Sequence, residues 1–198
     1  MKSIDYESDK NRIVVVPDVT KDLTASEFYP TEDGLGAWDR SPGNLFWSQD
    51  GSTIYAATED YARVRLFSLP SSPEKAAELP TLVFKDGSVS DVHPLGDKKL
   101  LISSTSYIDN SLFSAVDPVA AAASNATSGI TTISSNTDNG KKYGLSHSQI
   151  SEVFYQGGGD YQVHAWIIKP SFFKENETYP LAFYIHGGPQ GSTDDGWR

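Results

Sequence analysis

Residues 46–69, FWSQDGSTIYAATEDYARVRLFSL, and residues 92–115, VHPLGDKKLLISSTSYIDNSLFSA, carry one pattern twice. At an ungapped offset of 46 residues, Ile54-Tyr55 falls on Leu100-Leu101 and Tyr61 on Tyr107. Leu66-Phe67-Ser68 falls on Leu112-Phe113-Ser114. Each copy reads strand, tight turn, strand, polar turn, strand. The tight turns are Asp50-Gly51 and Gly96-Asp97, chemistry suited to antiparallel hairpins. A fourth strand is expected after each copy, at TLVF (residues 81–84) and GITTI (residues 129–133).

Four short strands in a unit of this length are the pattern of a β-propeller blade. The competing reading is a β-sandwich with two hairpins that resemble each other by chance. Propellers close with about four to eight blades, so two do not make a ring. RIVVVPDVT (residues 12–20) reads as the third strand of an earlier blade, which puts the start of the chain inside a propeller. The second copy carries an insertion, DPVAAAASNATSG (residues 117–129). Its alanine run is compatible with a helical turn, but its Ser, Asn, Thr and Gly setting predicts a mobile surface loop.

The pattern then changes. SSNTDNGKKYG (residues 134–144) reads as a polar linker. Residues 150–170 predict a long hairpin turning at Gly157-Gly158-Gly159-Asp160, with Tyr161, Val163, Ala165 and Ile167 alternating onto one face. Residues 181–185 are nearly continuous apolar sequence, as in a strand buried on both faces of an α/β sheet. The expected organisation is therefore β-propeller blades, about two and a half of them over residues 1–145, followed by the truncated start of an α/β-hydrolase domain over residues 146–198.

Composition narrows the chemistry. The chain holds 26 acidic against 16 basic residues, a net charge of −10 that disfavours nucleic-acid binding. It has no cysteine, so disulfides, thiolate nucleophiles and cysteine zinc sites are excluded. The opening MKSIDYESDKN has no apolar core of a signal peptide, and no stretch approaches a membrane span. Sequons occur at Asn125 and Asn176.

The chemically informative stretch is IHGGPQG. Adjacent glycines after a buried strand let backbone N–H groups approach a ligand. In α/β-hydrolases such a loop donates one oxyanion-hole N–H. The candidate oxyanion-side residues are His186, Gly187 and Gly188; a plain strand-to-helix turn is the competing use of the same residues. GLSHS (residues 144–148) ends in serine after a polar segment, so it is not read as a nucleophile elbow. His93 and His147 lack a partner at meaningful spacing and read as surface or turn residues. His164 reads as a half-buried sheet residue, and no metal site is expected.

The segments YPLAFYIHGGPQG, GLSHSQISEVFYQGGGDYQVHAWIIKPSFF and ATEDYARVRLFSLP, in that propeller-before-hydrolase order, resemble the prolyl oligopeptidase family of serine peptidases over nearly the whole chain. The resemblance implies a Ser–Asp–His triad, with its G-x-S-x-G elbow outside this sequence, and no metal or organic cofactor. It implies an extracellular serine-type dipeptidyl-peptidase acting on short peptides, with the signal peptide upstream of Met1. It makes Asn125 and Asn176 glycosylation candidates and Glu59, in TEDY, a candidate for recognising the substrate amine. The 198-residue polypeptide itself is expected to be inactive. The alternatives are an acylaminoacyl-peptidase or esterase of the same architecture, and a non-catalytic propeller that binds a partner. Neither nucleic acid nor membrane is an expected partner.

Overall fold

The computed structural model describes residues 10–187 and 191–197. Two four-stranded antiparallel sheets dominate it. The first orders β3 (Pro42–Trp47), β4 (Thr53–Glu59), β5 (Val64–Pro70) and β6 (Thr81–Phe84) side by side in chain order. The second does the same with β7 (Ser88–Leu95), β8 (Lys99–Thr105), β9 (Leu112–Val116) and β10 (Ile130–Ser135). Each is a meander built from consecutive hairpins. Ahead of them, β1 (Val14–Val15) pairs with β2 (Ser26–Glu27), so the strand expected over residues 12–20 is much shorter than the sequence suggested.

The two sheets are related as expected, but not in one continuous register. Ile54 stands opposite Leu69, whereas its repeat partner Leu100 stands opposite Val116. Ile54 stands opposite Trp47, and Leu100 opposite Pro94. The offset of 46 therefore holds for the middle strands, while both flanking strands sit one residue further on. The β7–β8 turn is a residue shorter and the β8–β9 connection a residue longer. Leu66 thus corresponds to Phe113, not Leu112. Because strand side chains alternate faces, that single residue decides which of them are buried.

Burial reveals the stacking. Tyr55, Ala57 and Leu66 on one face of the first sheet join Leu100, Ile102 and Val116 of the second in one buried cluster, with Val83, Phe84, Val89 and Val92. The opposite face of the first sheet, Ile54, Ala56 and Leu69, packs on Ile13 and Phe28 of the N-terminal segment. Strand β4 is consequently buried on both sides. The face of the second sheet equivalent to Tyr55, Ala57 and Leu66 carries Leu101, Ser103 and Phe113, and Phe113 is 38% exposed. The sheets stack head to tail, like face on unlike face, rather than as the two mirrored halves of a sandwich.

The connections are better ordered than their composition suggested. Residues 117–129 do not form a mobile loop: Pro118–Ala123 is a short helix, α1. The Asp117 side chain accepts from the Val119 and Ala120 N–H groups and Pro118 occupies the first turn, a capping arrangement that contributes about 1 kcal/mol. Ala121 is buried in the main cluster. Residues 134–144 are not a free linker either. Ser134 and Ser135 belong to β10, and fully buried Thr137 donates to the Ile108 carbonyl at 2.8 Å. Asp109 accepts from Ser135. Side-chain hydrogen bonds fix a stretch that hydropathy reads as solvent-borne.

Strands β11 (Ile150–Gln156) and β12 (Gln162–Ile168) form the expected hairpin, with Ile150 opposite Ile168 and Gln156 opposite Gln162. Tyr161 leaves the strand and lies over the turn. A β-carbon at Gly157 would meet the Tyr161 ring at 2.3 Å, so the glycine makes room for it. Residues 181–185 form no strand: Leu181, Phe183, Tyr184 and Ile185 are 87, 72, 78 and 73% exposed. A strand of this composition is buried by sheet neighbours and covering helices, and none of the described residues supplies them. No helix among the described residues is long and apolar enough to cross a membrane.

Candidate functional site

The His186 loop is open. His186 and Gly187 are both exposed, and the His186 ring nitrogen Nδ1 lies 3.1 Å from the Gly187 carbonyl. A β-carbon placed on Gly187 would meet nothing within 4 Å. Packing among the described residues therefore does not require the glycine. Gly188 lies outside the described residues.

Shortly beyond the loop, the chain is fastened. Asp195 is buried, and its N–H donates to the Ala62 carbonyl at 2.8 Å. Its Oδ1 accepts from the Tyr107 N–H at 2.9 Å and its Oδ2 from Arg63 Nε at 3.1 Å. One carboxylate thus ties together the β4–β5 turn and the matching β8–β9 turn.

Arg63 also reaches the hairpin. Its Nη1 pairs with Glu152 Oε1, and its guanidinium lies 4.3 Å from the centroid of the Trp166 ring. Glu152 in turn bonds His164 Nε2 at 3.1 Å. Phe154 packs edge-on to Tyr61 at 5.4 Å and beside His164 at 4.9 Å. Partial burial pushes the Glu152 carboxyl up, but the hydrogen bond and charge of Arg63, joined by His164, outweigh it. The group is held below the ordinary glutamate range and stays ionised at neutral pH.

The hairpin face that meets the four-stranded sheets is thus Glu152, Phe154, His164 and Trp166, while Val163, Ala165 and Ile167 alternate onto the other face, as expected. Cross-strand pairing makes the first set one surface, with Glu152 opposite Trp166 and Phe154 opposite His164. The junction is built from aromatic and charged groups. Arg63, Trp166 and the two acids are types suited to cation–π contacts and forked ion pairs, but they are scattered along the chain and gave no local signal.

Other sequence candidates lie apart from this. Glu59 is exposed at the end of β4, whereas Asp60 beside it is buried and paired with Arg40 and Arg65. Among the described residues no hydrogen bond or ion pair joins Glu59 to the His186 loop. His93 does have a carboxylate partner, Asp91 at 2.8 Å on the same strand, and both are exposed. A two-residue spacing on one strand face explains that contact. His147 opens an exposed 3₁₀ turn, and His164 is half-buried in β12 as expected. No group of three potential metal ligands occurs among the described residues. Asn125 follows α1 in the left-handed region, φ 54°, and is exposed; Asn176 is exposed in the segment after β12.

No family model matches the chain, and no solved structure matches it. Curated proteins do. Dipeptidyl-peptidase 5 of Trichophyton equinum is 36% identical over all 198 residues of the chain. Dipeptidyl-peptidase 5 of Arthroderma benhamiae is 35% identical over the same span, and the probable dipeptidyl-peptidase 5 of Trichophyton verrucosum 36%. In each case the match covers 25% of the relative, so the chain spans about a quarter of their length.

Proposed function

We propose, from the chain's homology along its whole length to a quarter of fungal dipeptidyl-peptidase 5, that it is part of an extracellular serine-type dipeptidyl-peptidase. The observation that carries this is the coincidence of that homology with the His186–Gly187 loop. The loop is exposed, and a β-carbon on Gly187 would meet nothing within 4 Å among the described residues. In this reading residues 1–145 are blades of a propeller and residues 146–198 begin an α/β-hydrolase domain. The head-to-tail stacking of the two sheets supports the first part. Like faces repeated in one rotational sense generate a ring, whereas a sandwich pairs two inner faces.

The chemistry follows from acyl transfer. A serine outside these residues attacks the carbonyl after the second residue of a peptide, a histidine takes and returns the proton, and an aspartate orients it. Negative charge gathers on the carbonyl oxygen, and an N–H of the His186–Gly187–Gly188 loop donates to it. Glu59, an exposed carboxylate at a blade turn, is the proposed partner of the substrate amine. Asn125 and Asn176, both exposed sequons, are proposed glycan acceptors. The 198-residue polypeptide alone is inactive in this reading, since its sequence holds no G-x-S-x-G.

A serine-directed fluorophosphonate probe tests the assignment. We expect it to label the full-length protein covalently and stoichiometrically, and to leave the 198-residue polypeptide unlabelled. Labelling of the short polypeptide would overturn its inactivity. Failure to label a folded full-length protein would overturn the serine mechanism.

A further inference from the structure

We propose that Arg63 and Asp195 form a clamp that tethers the chain just beyond the His186–Gly187 loop to two sheet turns and so limits where the loop can stand, which makes them positioning residues for the reaction inferred above. This rests on that functional reading for its consequence, though not for its geometry.

Three observations carry it. The first is burial of an acid just past an exposed stretch. Residues 181–187 are exposed throughout, yet Asp195, eight residues beyond Gly187, is buried and satisfied at its N–H and at both carboxylate oxygens. Eight residues reach at most about 28 Å, so the anchor limits where the loop can stand.

The second is the use of two equivalent turns for one carboxylate. Asp60 N–H bonds the Arg63 carbonyl at 2.8 Å, and Ser106 N–H bonds the Asp109 carbonyl at 2.7 Å. These bonds stand at equivalent places in successive sheets, although only the first turn has left-handed residues. The first supplies Arg63 Nε and the Ala62 carbonyl; the second supplies the Tyr107 N–H. A displacement between the sheets is therefore felt at Asp195.

The third is local strain. Tyr61 and Ala62 both adopt left-handed backbone, φ 50° and 54°. That geometry suits a two-residue hairpin turn, but Asn-Gly is the sequence that adopts it readily. Tyr61 instead packs on Phe154 of the hairpin, and Ala62 turns its carbonyl toward Asp195. A strained turn kept without its natural residues points to a task for the groups it presents. Here the task is to hold Arg63 where its guanidinium joins three segments: its Nε on Asp195, its Nη1 on Glu152, its plane over Trp166. Lysine offers a point charge and cannot make that set of contacts.

The test uses the full-length protein and the variants Arg63→Ala, Arg63→Lys, Asp195→Ala and Asp195→Asn. Peptide hydrolysis gives kcat and KM, and hydrogen exchange reads the amides of residues 186–187 and 191–197. We expect kcat to fall 10- to 100-fold in the alanine variants with KM changed less than threefold. The double alanine variant should lose no more than either single one, as members of one unit do. Exchange in residues 191–197 and 186–187 should rise at least tenfold. Arg63→Lys and Asp195→Asn, which keep volume and fold, should show the same direction with smaller size. Exchange at residues 186–187 unchanged in all four variants overturns the clamp, whatever the activity. Equal loss in kcat and thermal stability, with additive singles, reduces it to ordinary packing and also overturns it. A wild-type protein that hydrolyses nothing contradicts the functional reading instead, and the exchange data still decide the clamp.

Discussion

Replacing Gly187 with alanine in the full-length protein should lower kcat about 100-fold or more while leaving KM and thermal stability close to unchanged. The contrast is what makes the substitution informative. Among the described residues a β-carbon at Gly187 touches nothing within 4 Å, and the residue does not occupy the left-handed region. Neither sterics nor torsion requires glycine. If glycine matters, it matters to something that approaches the loop from outside. A transition-state oxyanion is such a visitor: alanine keeps the N–H but sets a methyl group where the oxygen approaches, and a preorganised donor forced out of reach costs about 3–4 kcal/mol in the barrier. Valine at the same position should cost more. The measurement is steady-state kinetics beside a thermal melt. A kcat within twofold of wild type would mean that the loop is a plain connection.

Replacing Phe84 with alanine should destabilise the sheet pair by about 3–5 kcal/mol. Phe84 is fully buried at the end of β6, opposite Leu66, in the cluster that joins the two sheets. Its removal leaves a cavity between layers that are held apart by other side chains, so collapse is limited. Phe113 is the internal comparison. It occupies the equivalent of Leu66 in the second sheet but is 38% exposed. Phe113→Ala should cost about 1 kcal/mol or less in the same chain. Urea unfolding of both variants, followed by tryptophan fluorescence, gives the difference. Equal costs would refute the one-directional stacking described here.

That comparison also shows how much the sequence disclosed. The repeat, its four strands and the hairpin over residues 150–168 were legible because turn residues and alternation are local signals. Register was not. The ungapped offset placed Leu66 on Leu112, while two turns of different length move the flanking strands by one residue. Turn length is set by hydrogen bonds that an alignment of similar letters does not weigh. The helix at Pro118–Ala123 was underestimated because its stability comes from the Asp117 cap and from burial of Ala121, not from length. Residues 134–144 looked like a linker because polar side chains that fasten a turn have the composition of polar side chains that face water.

The site divides in the same way. The His186–Gly187 loop stands out in the sequence because adjacent glycines after an apolar run are rare punctuation. Arg63, Glu152 and Asp195 do not, because they lie far apart in the chain and meet only through tertiary contacts, 89 and 132 residues distant from Arg63. Glu59 and Asp60 drew notice together as the acids of TEDY; Asp60 is buried and held by Arg40 and Arg65, and Glu59 is exposed. Strand alternation puts one of two adjacent acids inward, and reading which one needs the register.

The most direct test of the account is the identity of the first product. The full-length protein should be incubated with a short peptide bearing a free N-terminus and with its acetylated twin, and the products weighed by mass spectrometry. N-terminal dipeptides should appear from the free peptide and none from the blocked one. Release of a single acetylated residue from the blocked peptide, or no cleavage of either by a folded protein, would contradict it.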